Sequence, residues 1–230
     1  MTTGNNMAAV ARLIGDPARA NMLDAMLDAR AHSAGELATI AGVSAATASG
    51  HLRQLLGGGL VAVAAQGRHR YYRLASPEVA RLLEGLMAVT APLVTRHRAT
   101  PRVPSALREA RTCYDHLAGR LGIAIADTLV ANGTVRIDDN HIAVTDHGRA
   151  WLGEMAIDLD APRRWARRPL CRPCLDWSER RPHLAGVLGA ALLERLLERG
   201  WIARVDGSRA IRVTPPGATE LRRRFGYEPA

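Results

Sequence analysis

The sequence predicts an α+β fold, mainly helical, with an N-terminal winged helix-turn-helix and a C-terminal domain of two wing-bearing helix/hairpin modules. Three observations predict it. Residues 33–57 hold two capped helical stretches that meet at Gly42-Val43. Residues 60–73 then read as a β-hairpin. A weak internal repeat runs through the second half of the chain.

Taken in order, residues 6–15 and 17–29 read as amphipathic helices divided at Asp16-Pro17, since proline suits a first helical position where its missing N–H costs nothing. Met22, Leu23, Met26 and Leu27 recur at helical spacing and face the core. Ser33, with Glu36 three residues on, caps a short third helix that Gly42 ends. Ser44 caps a fourth helix that runs to Gly57, with Val43, Ala48, Leu52 and Leu55 turned inward. Gly57-Gly58-Gly59 turns the chain into a wing made of Leu60–Val63 and Gln66–Arg73. Ser76-Pro77-Glu78 opens a further helix with Val79, Leu82, Leu83, Leu86 and Met87 on one face, which Pro92 bends or ends. The prolines and arginines of Arg96–Pro104 mark a linker. The domains are therefore expected at 1–97 and 106–230, joined by residues 98–105.

The repeat aligns His116-Leu117-Ala118-Gly119-Arg120-Leu121-Gly122 with His183-Leu184-Ala185-Gly186-Val187-Leu188-Gly189, a shift of 67. Leu129–Gly133 matches Leu196–Gly200; Ile142–Thr145 matches Ile211–Thr214 at a shift of 69, and Gly148 matches Gly217. Each copy, at about 113–152 and 180–221, reads as helix, turn glycine, hairpin and helix start, and the two are expected to pack as a pseudo-symmetric pair.

Composition narrows the function classes. All 31 basic residues are arginine, and a net charge of +9 suits a polyanionic partner. The excess is spread along the chain, with 10 arginines against 6 acids in residues 1–100 and 21 against 16 beyond. Three cysteines do not suggest a disulfide scaffold, and neither a signal peptide nor an apolar run of spanning length is visible, so a cytoplasmic protein without membrane contact is expected.

On the fourth helix, Ala45, Ala46, Ser49, Gly50 and Arg53 form the face that a major groove would meet. Ser44 and Thr47 stand where a hydroxyl meets a phosphate, Arg53 does so electrostatically, and His51 and Gln54 are candidates for base or backbone contact. Small side chains at Ala45, Ala46 and Gly50 leave little bidentate readout, which shifts weight to thymine methyls, water and DNA shape. In the wing, Gly67 permits the turn, Arg68 sits near the tip for minor-groove entry, and His69 and Arg70 flank it. Tyr71 and Tyr72 face opposite sides of their strand. The plainer alternatives are a core helix and a solvated hairpin; the order helix, turn, helix, hairpin favours DNA.

Cys171-Arg172-Pro173-Cys174 is flanked by Arg163, Arg164, Arg167 and Arg168, whose charge favours thiolate. Two readings stand for the cysteines. In one, Cys113, Cys171 and Cys174 hold zinc or another thiophilic metal, with His116 or His183 as fourth ligand, or act in redox chemistry. In the other there is no cofactor, Cys113 is a small buried hydrophobe and Cys171 is incidental. The His116/His183 pair travels with Leu-Ala-Gly in both copies and reads as a packing feature rather than a metal pair. A cleft between the modules is the expected effector site, near Cys113, Tyr114, His116, Cys174, Trp177 and His183. Asp176-Trp177-Ser178-Glu179, with Arg180 and Arg181, joins the repeats either as a lip over that cleft or as a capped helix start whose ion pairs lock the modules. No catalytic triad, phosphate-cradling loop or spaced carboxylate pair emerges, so an enzyme is not expected.

Residues 8–88 resemble the ArsR-type bacterial winged-helix repressors through Gly15-Asp16-Pro17-Ala18-Arg19, Glu36-Leu37-Ala38, Val43-Ser44, Ser49 with His51-Leu52, and Gly67-Arg68 with Tyr71-Tyr72. Residues 111–225 resemble the extension of a subgroup carrying Arg111–Gly119 and Cys174–Arg181. The resemblance implies a homodimer that binds an imperfect DNA palindrome and is released by a small-molecule, metal or redox signal. Of the metal sites familiar in that family, the thiol site in the third helix would fall around Glu36–Ala41, where no cysteine stands. The fifth-helix site needs spaced Asp and His pairs, where this chain offers Glu84 and His97. The expected function is a sequence-specific transcriptional regulator. Its rivals are an architectural DNA-binding protein without effector and a thiol- or metal-dependent enzyme fused to a DNA-binding domain.

Overall fold

The computed structural model describes residues 3–66, 69–94, 104–138, 141–159 and 168–229. The chain divides into two compact units, Met1–Leu86 and Met87–Ala230.

The first unit opens with α1 (Thr3–Ile14) and α2 (Pro17–Ala25). Asp16 caps α2 by accepting the Arg19 N–H at 3.0 Å. Expected to run to residue 29, the helix instead tightens into a 3-10 turn at Met26–Asp28. The cause is a buried carboxylate: Asp28 accepts the Arg30 N–H at 2.8 Å and pairs with His32 Nε2 at 3.0 Å, and Ala29 turns the chain at φ 60°. The short strand β1 (His32–Ser33) leads into α3 (Ala34–Ala41). Ser33 Oγ accepts the Glu36 N–H at 3.3 Å while Glu36 accepts the Ser33 N–H at 2.7 Å, closing the expected capping box. Gly42 ends α3 at φ 66°, a left-handed conformation open to glycine, and Ser44 starts α4 (Ala45–Gly57). The wing follows as β2 (Val61–Gln66) antiparallel to β3 (His69–Leu74), with β1 on the other edge of β3. Met22, Leu23, Met26, Leu27, Leu37, Leu52 and Leu55 are fully buried beneath these elements, each contributing about 1.5–3 kcal/mol.

Helix α5 (Pro77–Val94) continues through Pro92 rather than ending there. Its apolar face is divided: Leu83 is buried in the core, whereas Leu82 (42 %), Leu86 (40 %) and Val89 (66 %) are exposed.

After α5 the second unit carries a short helix missing from the sequence prediction, α6 (Ser105–Glu109). Residues 98–103 of the expected linker lie outside the described residues. Two copies of one element order follow. The first is β4 (Arg111–Cys113), β5 (His116–Ala118), α7 (Gly119–Ala131), β6 (Val135–Asp138), β7 (His141–Val144) and α8 (Asp146–Glu154). The second is β8 (Arg172–Leu175), β9 (Pro182–Ala185), α9 (Gly186–Glu198), β10 (Ile202–Arg204), β11 (Ile211–Val213) and α10 (Pro215–Phe225). Each copy therefore carries a leading hairpin that the repeat did not reveal, and His-Leu-Ala, read as helix, is strand in both. Corresponding threonines, Thr145 and Thr214, cap α8 and α10 by accepting the N–H of Gly148 and Gly217.

The copies interlock. The Thr112 N–H donates to Arg209 O at 2.9 Å and the Ile211 N–H to Ala110 O at 2.8 Å, tying the first leading hairpin to the last strand. One core runs through both copies, including Leu117, Leu121, Leu129, Leu152, Leu184, Leu188, Leu196 and Leu221. Gly122 and Gly189 let α7 and α9 press onto the hairpins. A Cβ on Gly122 would lie 2.6 Å from Leu117 O, and one on Gly189 would run into Leu184 O and sit 3.0 Å from His116 Cβ. Among the described residues, no helix is long and apolar enough to cross a membrane.

Candidate functional site

Two places gather the chemistry, one in each unit. In the first, burial sorts α4 by its helical period. Ala48, Leu52 and Leu55 are buried, so Ala46, Gly50 and Arg53 fall on the opposite face. Ala45 and Ser49 flank that strip on one side, and Thr47, His51 and Gln54 on the other. Ala45, Ala46, Thr47, Ser49, Arg53 and Gln54 are exposed, while Gly50 and His51 are half-buried. Ser49, Arg53 and Leu56 line a groove of about 450 Å³ with Arg70 and Tyr72 of β3, so the helix strip and the wing share one surface. Tyr72 is buried and structural, as one of the two tyrosines had to be.

Several expected contacts are already engaged locally. Ser44 Oγ accepts the Thr47 N–H at 3.2 Å and bonds Thr47 Oγ1 at 2.9 Å, and Ser49 Oγ donates to Ala45 O at 2.9 Å. These hydroxyls hold the helix start, as short polar side chains do there. His51 and Gln54 turn toward α2 because they occupy the α2-facing flank. Arg19 Nη1 donates to Gln54 Oε1 and lies 3.5 Å from His51 Nδ1, with Asp16 Oδ1 3.9 Å from His51 Nε2. Arg19 also donates to Leu13 O at 2.7 Å and Arg12 O at 3.0 Å, closing the end of α1. Sequence reasoning saw Arg19 in the motif but not this role. Gly67 and Arg68 lie outside the described residues, as does the side chain of His69.

In the second unit, the leading hairpins bring Cys113, His116, Cys174 and His183 together. Register explains how. Cys113 pairs directly with His116 across β4 and β5, and Cys174 with His183 across β8 and β9, so each hairpin presents one thiol and one imidazole on the same face. Their neighbours Leu117 and Leu184 point the other way, into the main core. The ligand atoms of the four residues all lie within 4.8 Å of one another. The sulfurs are 4.0 Å apart, and the two Nε2 atoms 3.1 Å apart with the rings stacked. All four residues are buried, none more than 8 % exposed. Contact with Cys113 first, then with His116 and His183, holds the Cys174 thiol well below its usual range despite burial. Burial lowers His183 and favours neutral imidazole.

Three sequence expectations change here. Cys171 is not in the cluster: three residues from Cys174 on extended chain, it faces the opposite way into the main core, where burial pushes its thiol up to about 12. Tyr114 and Trp177 are half-buried and are not among the four clustered groups. Tyr114 forms the two-residue turn between β4 and β5 with Asp115, at φ 59°. Asp176–Arg181 does not join the repeats. It is the loop between β8 and β9, closed by the Asp176 N–H donating to Arg181 O at 2.9 Å.

That loop rests on a buried ion pair that sequence reasoning missed. Arg111 Nη2 lies 3.0 Å from Asp176 Oδ2, both side chains fully buried, and the guanidinium stacks 4.5 Å from the Trp177 ring centre. Asp176 also accepts the N–H groups of Gly119 (2.6 Å), Ser178 (2.9 Å) and Glu179 (3.0 Å). Burial alone would raise this carboxyl; Arg111 and the N–H donors outweigh it and hold it at about 2. The ion pair ties this loop to the first copy, and the helix start expected here is a turn instead.

A helix-turn-helix domain model matches residues 14–64. The uncharacterized HTH-type transcriptional regulator YdfF of Bacillus subtilis (strain 168) is 42% identical over 212 residues, covering 92% of this chain and 93% of that protein. The HTH-type transcriptional regulator CmtR of Mycobacterium tuberculosis (strain ATCC 25618 / H37Rv) is 37% identical over 83 residues, 36% of this chain and 70% of that protein. Among solved structures, the homodimeric winged helix-turn-helix DNA-binding domain of Mb0332 from Mycobacterium bovis is 30% identical, with a TM-score of 0.37, covering 42% of this chain and 89% of that one.

Proposed function

From a chain that belongs to the HTH-type transcriptional regulators, in their ArsR-type winged-helix branch, we propose a dimeric repressor that reads an imperfect palindrome through α4 and answers a signal through its C-terminal unit. The observation that carries the DNA reading is the shared surface of α4 and β3, where exposed Arg53 and Arg70 line the same groove beside the small residues Ala45, Ala46 and Gly50. A helix with small side chains approaches base edges closely, and the two arginines supply phosphate contacts at the margin. Because Ser44, Thr47, Ser49 and Gln54 already have partners within the protein, Arg53 takes the largest share of phosphate binding on this helix.

Dimerisation rests on Leu82, Leu86 and Val89, which recur at helical spacing and stand exposed on α5. The relatives are named as regulators of transcription. A thiol-dependent enzyme would need an accessible sulfur, and all three cysteines are buried. Footprinting on genomic fragments retained by the purified protein tests the reading. A short protected palindrome supports it; diffuse protection would favour an architectural role instead.

A further inference from the structure

We propose that Cys113, His116, Cys174 and His183 form a closed four-ligand site for one thiophilic divalent cation, zinc above others, which clamps the two leading hairpins of the C-terminal unit together. The inference goes beyond the DNA-reading function and stands on the geometry of this unit alone.

The spacing fits a tetrahedron. With metal–sulfur bonds of about 2.3 Å and metal–nitrogen bonds of about 2.0–2.1 Å, its edges are about 3.8 Å between sulfurs and about 3.3 Å between nitrogens. The structure holds the sulfurs 4.0 Å apart and the Nε2 atoms 3.1 Å apart. Two soft thiolates with two imidazoles is a donor set that selects zinc over the hard oxygen-seeking cations. Two thiolates also neutralise a divalent charge, which matters in a place where the residues are at most 8 % exposed.

A second observation points the same way. Both histidines turn Nε2 into the cluster and Nδ1 toward a carboxylate: Asp115 Oδ1 lies 3.4 Å from His116 Nδ1, and Asp176 Oδ2 lies 3.9 Å from His183 Nδ1. Each carboxylate is itself held by an arginine, Asp115 by Arg168 and Asp176 by Arg111. A carboxylate behind the imidazole is the usual support of a histidine ligand, because it fixes the ring and strengthens the donor nitrogen. At His116 the carboxylate is within hydrogen-bonding distance, while His183 Nδ1 is buried 3.9 Å from Asp176 with no hydrogen-bond partner among the described residues. Pure packing would not require four polar groups to converge in a buried place with their donor atoms facing one another.

All four coordination positions are filled by protein, which marks a structural rather than a catalytic site. The cation would join hairpins that are separate two-stranded sheets, linking the two copies at their pseudo-symmetric contact. Binding displaces the thiol protons to solvent and involves no redox change.

The test is metal analysis of the full-length protein, expressed in zinc-supplemented medium and purified without chelator. Native mass spectrometry and elemental analysis should find about one zinc per chain. Replacement by Co²⁺ should give the intense visible bands of tetrahedral coordination with thiolate charge transfer. Cys174→Ser and His183→Asn should lose the metal, and Cys171→Ser should keep it. The wild-type measurement decides even where a variant fails to fold. Wild-type protein with less than a tenth of a zinc per chain, and no uptake of added Zn²⁺ in competition with a chromophoric chelator, would overturn the proposal. So would an intact Cys113–Cys174 disulfide in the freshly purified chain, or loss of metal from Cys171→Ser equal to that from Cys174→Ser.

Discussion

At the scale of single residues, position on the helix decides what a side chain can do for DNA. Arg53 is exposed on the outer strip of α4, while Gln54 one position on accepts from Arg19. Arg53→Ala is therefore expected to weaken binding to all duplexes and to flatten the salt dependence by roughly one unit of slope, as for one lost phosphate contact. Gln54→Ala should change that slope by much less; equal effects in a salt titration would mean the strip is misplaced. In the other unit, Asp176 is the acidic partner of buried Arg111 among the described residues. Asp176→Ala leaves a guanidinium without its counter-charge, at a cost of about 3–5 kcal/mol, read as a lower urea midpoint for the C-terminal unit. Local pairs such as Ser33 with Glu36 were legible because their partners lie three residues apart. Arg111 with Asp176, and the turn of His51 toward Arg19, were not, because those contacts depend on how distant segments pack.

Elements show the same division. Helix ends and the wing followed from caps, glycines and alternation. The leading hairpins did not, since strands as short as Arg111–Cys113 and His116–Ala118 carry too few residues to show a period. The repeat aligned the histidines at a shift of 67 but not the cysteines, because two residues separate Cys113 from His116 and eight separate Cys174 from His183. Half of the buried cluster was thus visible as symmetry, and the other half was masked by an unequal loop. Close packing of α9 on these hairpins makes a specific prediction. Gly189→Ala drives a methyl into Leu184 O and toward His116, with an expected loss of about 1–3 kcal/mol. Gly153→Ala on α8, where nothing lies within 4 Å, should be neutral or stabilising by up to about 1 kcal/mol. Thermal melts of the two variants that moved together would show that the close approach is not real.

At the scale of the whole molecule, the account requires two copies. We assign their contact to Leu82, Leu86 and Val89, which stand exposed on α5. A Leu82→Glu, Leu86→Glu variant is expected to sediment as a monomer and to bind a single half-site better than it binds a palindrome relative to wild type. A variant that remains dimeric by analytical ultracentrifugation would place the interface elsewhere. The most direct test of the central claim, that α4 and the wing read a specific sequence, is selection of bound duplexes from a random pool by the full-length protein. The account predicts enrichment of an inverted repeat whose half-sites are centred about 10–10.5 base pairs apart, or a multiple of that, with Arg53→Ala selecting the same motif at lower affinity. A pool that retains no sequence motif after repeated rounds, while still binding at low salt, would contradict it.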